Sequence, residues 1–303
     1  MKLKTKILPI TFIIVLLLCF VGACDIFDNS AKNKKSIRKE VEKIFAKLET
    51  INYSDLEKYI SENYDDIDLE YISKNYNDWK KSEFSGLAIN QKTDYIYKII
   101  SEIGNIKEGD TLIDLGSGFG IDCLLLRHII IGDKGKVVGI DIEELWNVVA
   151  TKYCKYLGYN NADFILGDAR EIPLDNNIAD VVISNYTFTL ISEKEKVFSE
   201  IFRVLKDGGN FYVMDAVVYG DNFDLLEIIK NDSLKSNWYI NRSVREEEYL
   251  KILEKIGFKS IKIEIYDICM INAAGHLVNV SVNEIDKFRD KIISASVYIY
   301  AEK

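Results

Sequence analysis

The residues at 111–141, TLIDLGSGFGIDCLLLRHIIIGDKGKVVGID, constrain this chain more than any other stretch. The apolar run at 111–115 has the length and content of a buried parallel strand. Glycines follow at alternate positions, Gly116, Gly118 and Gly120. The apolar pattern at 121–131 has helical length, 132–136 reads as a turn, and 137–140 is a second short strand ending in Asp141. The order predicts a βαβ unit with a glycine-rich first turn, the layout of a nucleotide site. Glycine lets the backbone take positive φ and approach a ligand closely. The start of the following helix offers N–H groups without intrahelical partners. A carboxylate ending the second strand can accept hydrogen bonds from both ribose hydroxyls, and Asp141 stands at that point. The plainer alternative is that the glycines only pack a helix tightly against a strand.

The type of nucleotide follows from the spacing. The dinucleotide fingerprint G-x-G-x-x-G requires glycine at 121, where this chain has Ile121; its third glycine comes one residue early. Asp114 stands two residues before the first glycine, where dinucleotide folds usually carry an apolar residue. The resulting pattern D-x-G-x-G-x-G resembles motif I of the class I S-adenosylmethionine-dependent methyltransferases.

Composition narrows the remaining classes. A chain of 303 residues has room for one large α/β domain plus extensions. A net charge of −9 argues against a nucleic-acid footprint. The five cysteines (19, 24, 123, 154 and 269) form no C-x-x-C pair, and His128 and His276 are the only histidines. That inventory disfavours a zinc site or a histidine-based triad, and no metal is expected.

Residues 1–24 read as a targeting segment. Lys2, Lys4 and Lys6 precede an uncharged, mostly apolar run at 7–23, which closes on Val21-Gly22-Ala23-Cys24. Small residues before the cut are the cleavage-site pattern of a secretory signal. With cysteine directly after them, the segment resembles a bacterial lipoprotein signal, which implies lipid on Cys24 and a membrane anchor. The alternative is an uncleaved membrane helix at the lower limit of spanning length. The side of the membrane stays open, because Lys32, Lys34, Lys35, Arg38 and Lys39 follow the run and weaken the positive-inside bias.

Residues 25–105 are expected to form a helical extension near the cofactor mouth. Ile37, Val41, Ile44, Phe45, Leu48 and Ile51 follow helical spacing over 32–50. Ser54 and Glu57 suggest a capping box for a second helix. YISENY at 59–64 is echoed by YISKNY at 71–76, too few copies for a repeat array. Tyr71, Tyr76, Trp79 and Phe84 could line an acceptor pocket, although core packing is the simpler role.

Beyond the glycine loop, strands alternate with helices. Helix is expected at 142–156, strands at 162–166, 179–184 and 210–215, and a helix opened by Ser192 and Glu195 with Gly208-Gly209 as its stop. Ser243 and Glu246 suggest the cap of another helix, ending at Gly257. Strands at 259–266 and 294–301 close the chain, and 267–293 carries no assignable pattern. The alternation implies a Rossmann-like, mostly parallel sheet covered on both faces, with ligands outside the carboxyl ends of the strands. Asp114, Asp141, Asp168, Asn185 and Asp215 are all expected at those ends.

From about 85 to 303 the chain resembles a class I methyltransferase. DLGSGFG is similar to motif I, VVGID to the ribose strand, ILGDAREIPLDNNIADVVISN to the adenine-side and fourth motifs, and FRVLKDGGNFYVMD to the region after them. The resemblance implies a seven-stranded sheet with an antiparallel C-terminal strand, a catalytic domain at 106–303, and S-adenosylmethionine as cofactor. It places Asp114, Gly116, Gly118 and Gly120 at the methionine end, Asp141 at the ribose, and Asp168 with Ala169 at the adenine amino group and ring; Ser117, Ile142, Gly167 and Asn185 complete the expected cofactor-binding set. DLGSGFGIDC, VVISN, KVFSEIFRVLKDGG and SASVYIYAEK most resemble the arsenite methyltransferases. That family binds As(III) through cysteines, one directly after the Ser-Asn of the fourth strand. Tyr186 occupies that position here, and Tyr239 is the best match for a second; Cys123 matches a family cysteine but also reads as a small buried apolar residue.

A soft metalloid needs thiolates, so the expected reaction is methyl transfer to a small molecule other than arsenite. Tyr186, Trp238 and Tyr239 are the candidates to contact that acceptor, with an aromatic wall as the alternative for Tyr186. Two other functions remain open: a lipid- or quinone-directed methyltransferase similar to the ubiquinone/menaquinone C-methyltransferases, and a membrane-tethered binding protein that keeps the cofactor fold without turnover.

Overall fold

Five apolar runs separated by helical ones build the centre of the molecule. In the computed structural model the described residues are 31–63, 69–70, 86–103, 106–218, 244–271, 277–280 and 292–303. Strands β1 (Thr111–Leu115), β2 (Lys136–Asp141), β3 (Ala162–Leu166), β4 (Ala179–Asn185) and β5 (Leu205–Val218) pair in parallel. Then β6 (Lys259–Ile271), β7 (Leu277–Val280) and β8 (Ile292–Glu302) complete a sheet of order β3-β2-β1-β4-β5-β8-β6-β7. Strand β8 lies between β5 and β6 and runs antiparallel to both. Seven of these strands make the expected sheet. The eighth, β7, comes from the stretch without a sequence pattern and pairs antiparallel with the outer edge of β6.

Alternating burial along the strands gives the sheet two apolar faces. Leu112 joins one core, and Ile113 and Leu115 join the other. On the first face lie α1 (Ala31–Glu49), α2 (Tyr53–Asn63), α3 (Gly86–Ile103), α4 (Ile121–Leu126) and α5 (Glu144–Leu157). A π-turn at Arg127–Ile131 follows α4. On the other face lie α6 (Lys194–Val204) and α7 (Glu246–Ile256), whose Phe198 and Tyr249 rings meet edge to face.

The helical extension is built into the first core. Its predicted stripe, Ile37, Val41, Ile44, Phe45, Leu48 and Ile51, is buried and belongs to one cluster with Leu112, Leu124 and Val149. Polar contacts lock the same seam: Glu40 Oε2 lies 2.7 Å from His128 Nε2, and Tyr159 Oη lies 3.0 Å from His128 Nδ1. The aromatics at 71, 76, 79 and 84, the second YISKNY copy and the targeting segment lie outside the described residues.

The local helix signals are less accurate than the periodicity. Helix α2 is capped two residues before Ser54, by Asn52, whose Oδ1 accepts from the Asp55 N–H at 2.9 Å. Helix α6 starts at Lys194 without a side-chain cap; Ser192 and Glu195 make no box, because Glu195 pairs with Lys255 of α7 at 2.6 Å. Helix α7 starts at Glu246 after Arg245, also without a side-chain cap, and stops at Gly257 with φ of 109°. Gly208-Gly209 does not end α6, since Leu205 already pairs with Ala179. Around α6 the contacts to α7 and β4 outcompete local signals whose contribution is only about 1 kcal/mol.

Candidate active site

The strand order reverses direction at β1, whose neighbours β2 and β4 are reached by connections on opposite sides. That switch point is where open α/β sheets bind ligands. The glycine loop crosses it. Gly116, Gly118 and Gly120 have φ of 72°, 51° and 72°, which side-chain-bearing residues rarely adopt. Two of them also lack room: a β-carbon on Gly116 would lie 2.5 Å from Thr187 Cγ2, and one on Gly120 would lie 2.5 Å from Phe164 Cζ and 2.8 Å from Ala150 Cβ. At Gly118 nothing lies within 4 Å, so the loop is open there.

Asp141 ties this loop to the end of β2. Its Oδ2 accepts from the Gly118 N–H at 2.9 Å and its Oδ1 from the Glu143 N–H at 3.0 Å. Burial raises its pKa, and the amide donors oppose that rise by holding the ionised form. Each oxygen keeps a further lone pair, enough to accept from a pair of vicinal hydroxyls. Ile142, next in the chain, is 63% exposed, and Leu166, register partner of Asp141, is 55% exposed. Exposed apolar residues on a strand rim suit the face of a flat ring. The Gly167 N–H reaches back to the Asp141 carbonyl at 3.0 Å, which brings Asp168 and Ala169 to the same rim. Ala169 is buried. Asp168 is gripped by Arg170, Nη2 to Oδ2 at 2.6 Å, and the guanidinium holds its carboxyl below the usual range. The oxygens expected at an adenine amino group are thus shared with Arg170, which also pairs with Glu193 at 2.5 Å.

The opposite end of the loop is deeper and more acidic. Asp114 is buried, and Cys123 Sγ donates to its Oδ2 at 3.4 Å. Burial, and then the charge of Asp122, push Asp114 up to about 8. Asp122 Oδ2 accepts from Lys92 Nζ of α3 at 2.7 Å and from Asn185 Nδ2 at 3.1 Å. Tyr186 follows Asn185 with φ of 56°, left-handed for a residue with a side chain. Its N–H donates to the Met214 carbonyl at 2.7 Å, and its hydroxyl donates to Ser296 Oγ at 2.5 Å.

One sequence expectation is corrected. Asp215 does not end its strand: β5 runs three residues further. It is buried on the α6–α7 face, where its carboxylate accepts from the Thr189 N–H at 3.1 Å, the Thr189 hydroxyl, the Ala216 N–H at 2.9 Å and Tyr249 Oη at 2.8 Å. It therefore anchors the turn after β4 to α7 and does not reach the rim. Trp238, Tyr239 and Cys24 lie outside the described residues. The other named positions converge on the carboxyl edge of β1–β4. Asp122 and Lys92 were missed. Asp122 stands two residues past the last glycine and was visible there, whereas nothing in the sequence around Lys92 points to it.

Comparison with known proteins agrees with this geometry. The chain matches the methyltransferase-domain family over 106–257, half of its length, and belongs to that family. It is 31% identical to the arsenite methyltransferase of Mus musculus over 173 residues, 54% of this chain and 45% of that protein. It is 26% identical to the ubiquinone/menaquinone biosynthesis C-methyltransferase of Escherichia fergusonii over 179 residues, 53% of this chain and 70% of that one. The chain spans about half the length, or less, of the arsenite methyltransferases it matches. Phosphoethanolamine N-methyltransferase 2 of Haemonchus contortus, solved with S-adenosyl-L-methionine, shares the fold at a TM-score of 0.57 and 19% identity, covering 77% of this chain and 59% of that one. Fold, site and family together make the class that of the class I S-adenosylmethionine-dependent methyltransferases.

The buried carboxyl of Asp114 makes a pH prediction. It holds its proton in the folded state up to about pH 8, whereas an unfolded Asp releases it near about 3.9. Between those values the native state binds more protons, so this group makes stability fall as pH rises through the window. The stability of wild type relative to Asp114→Asn should therefore decrease between about pH 5 and 8 in urea titrations. A difference that stays flat with pH would contradict the buried-carboxyl assignment.

Proposed function

We propose that this chain transfers a methyl group from S-adenosylmethionine to a small-molecule acceptor other than arsenite. The observation that carries the cofactor half is the Asp141 carboxylate, held at the end of β2 by the Gly118 amide across an open glycine loop. Asp141 would receive the ribose hydroxyls, Ile142 and the Gly167–Ala169 turn the adenine, and the loop with Asp114 the methionine end. When bound, the cofactor supplies a sulfonium methyl already activated for displacement. The residues of the chain then have to align the acceptor and exclude water, and alignment of that kind can supply roughly 7–11 kcal/mol. We assign this role to Tyr186; its hydroxyl bond to Ser296 and its N–H bond to the Met214 carbonyl, which hold the residue, support the reading.

The acceptor reading rests on thiol chemistry. Of the described cysteines, Cys123 and Cys154 are buried, and burial raises both thiols above their ordinary pKa. Neither offers the accessible thiolate that a soft metalloid needs. A quinone- or lipid-directed acceptor is the second reading, favoured by the similarity to the Escherichia fergusonii C-methyltransferase and by the apolar segment before Cys24. Membrane attachment through Cys24 is part of the same proposal and draws on the Val-Gly-Ala-Cys motif alone.

Three measurements test these readings. Asp141→Ala should weaken S-adenosylmethionine binding by roughly 1.5–3 kcal/mol, the worth of hydrogen bonds to a charged group; equal affinities in calorimetry would sink the ribose assignment. Incubation with arsenite, thiol and cofactor should yield no methylated arsenic, and methylarsenite formed at enzymatic rates would refute the acceptor reading. Mass spectrometry of the N-terminal peptide should show a lipid-modified Cys24, and an unmodified peptide still containing residues 1–23, from cells that process lipoproteins, would remove the lipid anchor.

A further inference from the structure

The cluster of side chains around Asp122, just after the glycine loop, is incomplete in its hydrogen bonding. Asp122 is only 5% exposed, and its Oδ2 takes both Lys92 and Asn185. Its Oδ1 is buried and accepts no hydrogen bond from the described residues. A buried carboxylate oxygen left without a donor carries a desolvation penalty that nothing offsets, so the arrangement calls for a donor from outside the chain. After its own burial, the charge of Asp122 does most to raise the Asp114 carboxyl. Lys92 is the one cation hydrogen-bonded to this pair among the described residues. Asn185, hydrogen-bonded to the same Asp122 oxygen, is the last residue of β4, so the cluster joins the end of that strand to the helix that follows the glycine loop.

We infer that Asp122 is a cofactor-binding residue whose Oδ1 receives the ammonium of the methionine moiety, with Lys92 of the helical extension holding the carboxylate in place. The inference deepens the proposed function and rests on it. It makes α3, and through it the extension, part of the cofactor site and not only of the scaffold. The chemistry is that of an α-ammonium donor meeting a dry carboxylate, a charge-assisted hydrogen bond stronger than a neutral one. Lys92 neutralises the Oδ2 side, so the approaching cation pairs with a carboxylate that is already oriented.

The test compares three ligands on the full chain in detergent by calorimetry: S-adenosylhomocysteine, its deamino analogue with hydrogen in place of the ammonium, and 5′-methylthioadenosine, which lacks the amino-acid part. Wild type should bind S-adenosylhomocysteine at least tenfold more tightly than the deamino analogue. Asp122→Asn should weaken S-adenosylhomocysteine at least tenfold while leaving the other two within about twofold, so that the discrimination collapses. Loss of all three ligands in parallel by a folded Asp122→Asn, or no loss at all, overturns the ammonium assignment and leaves the proposed function standing. If Asp122→Asn does not fold, the wild-type ligands decide: equal affinity for S-adenosylhomocysteine and its deamino analogue overturns the assignment, and a tenfold gap supports it. Wild type that binds none of the three overturns the methyltransferase reading itself, and this inference falls with it.

Discussion

The site depends on one close approach, the glycine loop lying against the ends of β2 and β4. Asp141 can reach the Gly118 amide only because Gly116 and Gly120 have no β-carbon to strike Thr187, Phe164 and Ala150. The hydrogen bond spans 23 residues of sequence and joins the loop to the strand end that carries the Asp141 carboxylate. A ligand cradled there meets a preformed backbone, so little ordering remains to oppose binding. Phe164 of β3 is as much a part of this constraint as the glycines, because it fills the space that Gly120 leaves.

A second dependency runs through the helical extension. Its apolar stripe packs into the same core as Leu112 of β1 and Leu124 of α4. Lys92 and Tyr95 of α3 then reach the rim itself, one on the Asp122 carboxylate and the other on the Ser184 carbonyl at 3.2 Å. The family match begins at 106, yet the residues before it supply contacts to Asp122 and to the end of β4. An extension that shares a core with the domain it covers contributes to cooperative stability as well as to the site.

The acidic residues of the sheet divide into two physical roles that residue type does not distinguish. Asp141 and Asp168 stay at the rim, the first held by the Gly118 and Glu143 amides and the second by Arg170. Asp215 is sunk into the opposite core, where Thr189 and Tyr249 occupy its oxygens and burial raises its pKa. Both kinds of aspartate sit in the same strand–loop pattern. Their difference is set by where each strand stops, and β5 continues past Asp215 because β8 pairs with it up to Val218.

Periodicity and glycine spacing determined much of this protein from sequence: the parallel strands, the stripe of α1, the left-handed loop after β1 and the carboxylate at the end of β2. These are local consequences of side-chain geometry, which a short window contains in full. Helix caps, the length of β5 and strand β7 were decided only in the folded chain. A cap or a strand end is worth about a kilocalorie per mole locally, and pairing with a distant strand or helix outweighs it. The Lys92–Asp122–Asn185 cluster belongs to the same category. Its members lie 30 and 63 residues apart, and only burial in one core gives their charges a common low-dielectric setting in which each matters to the others.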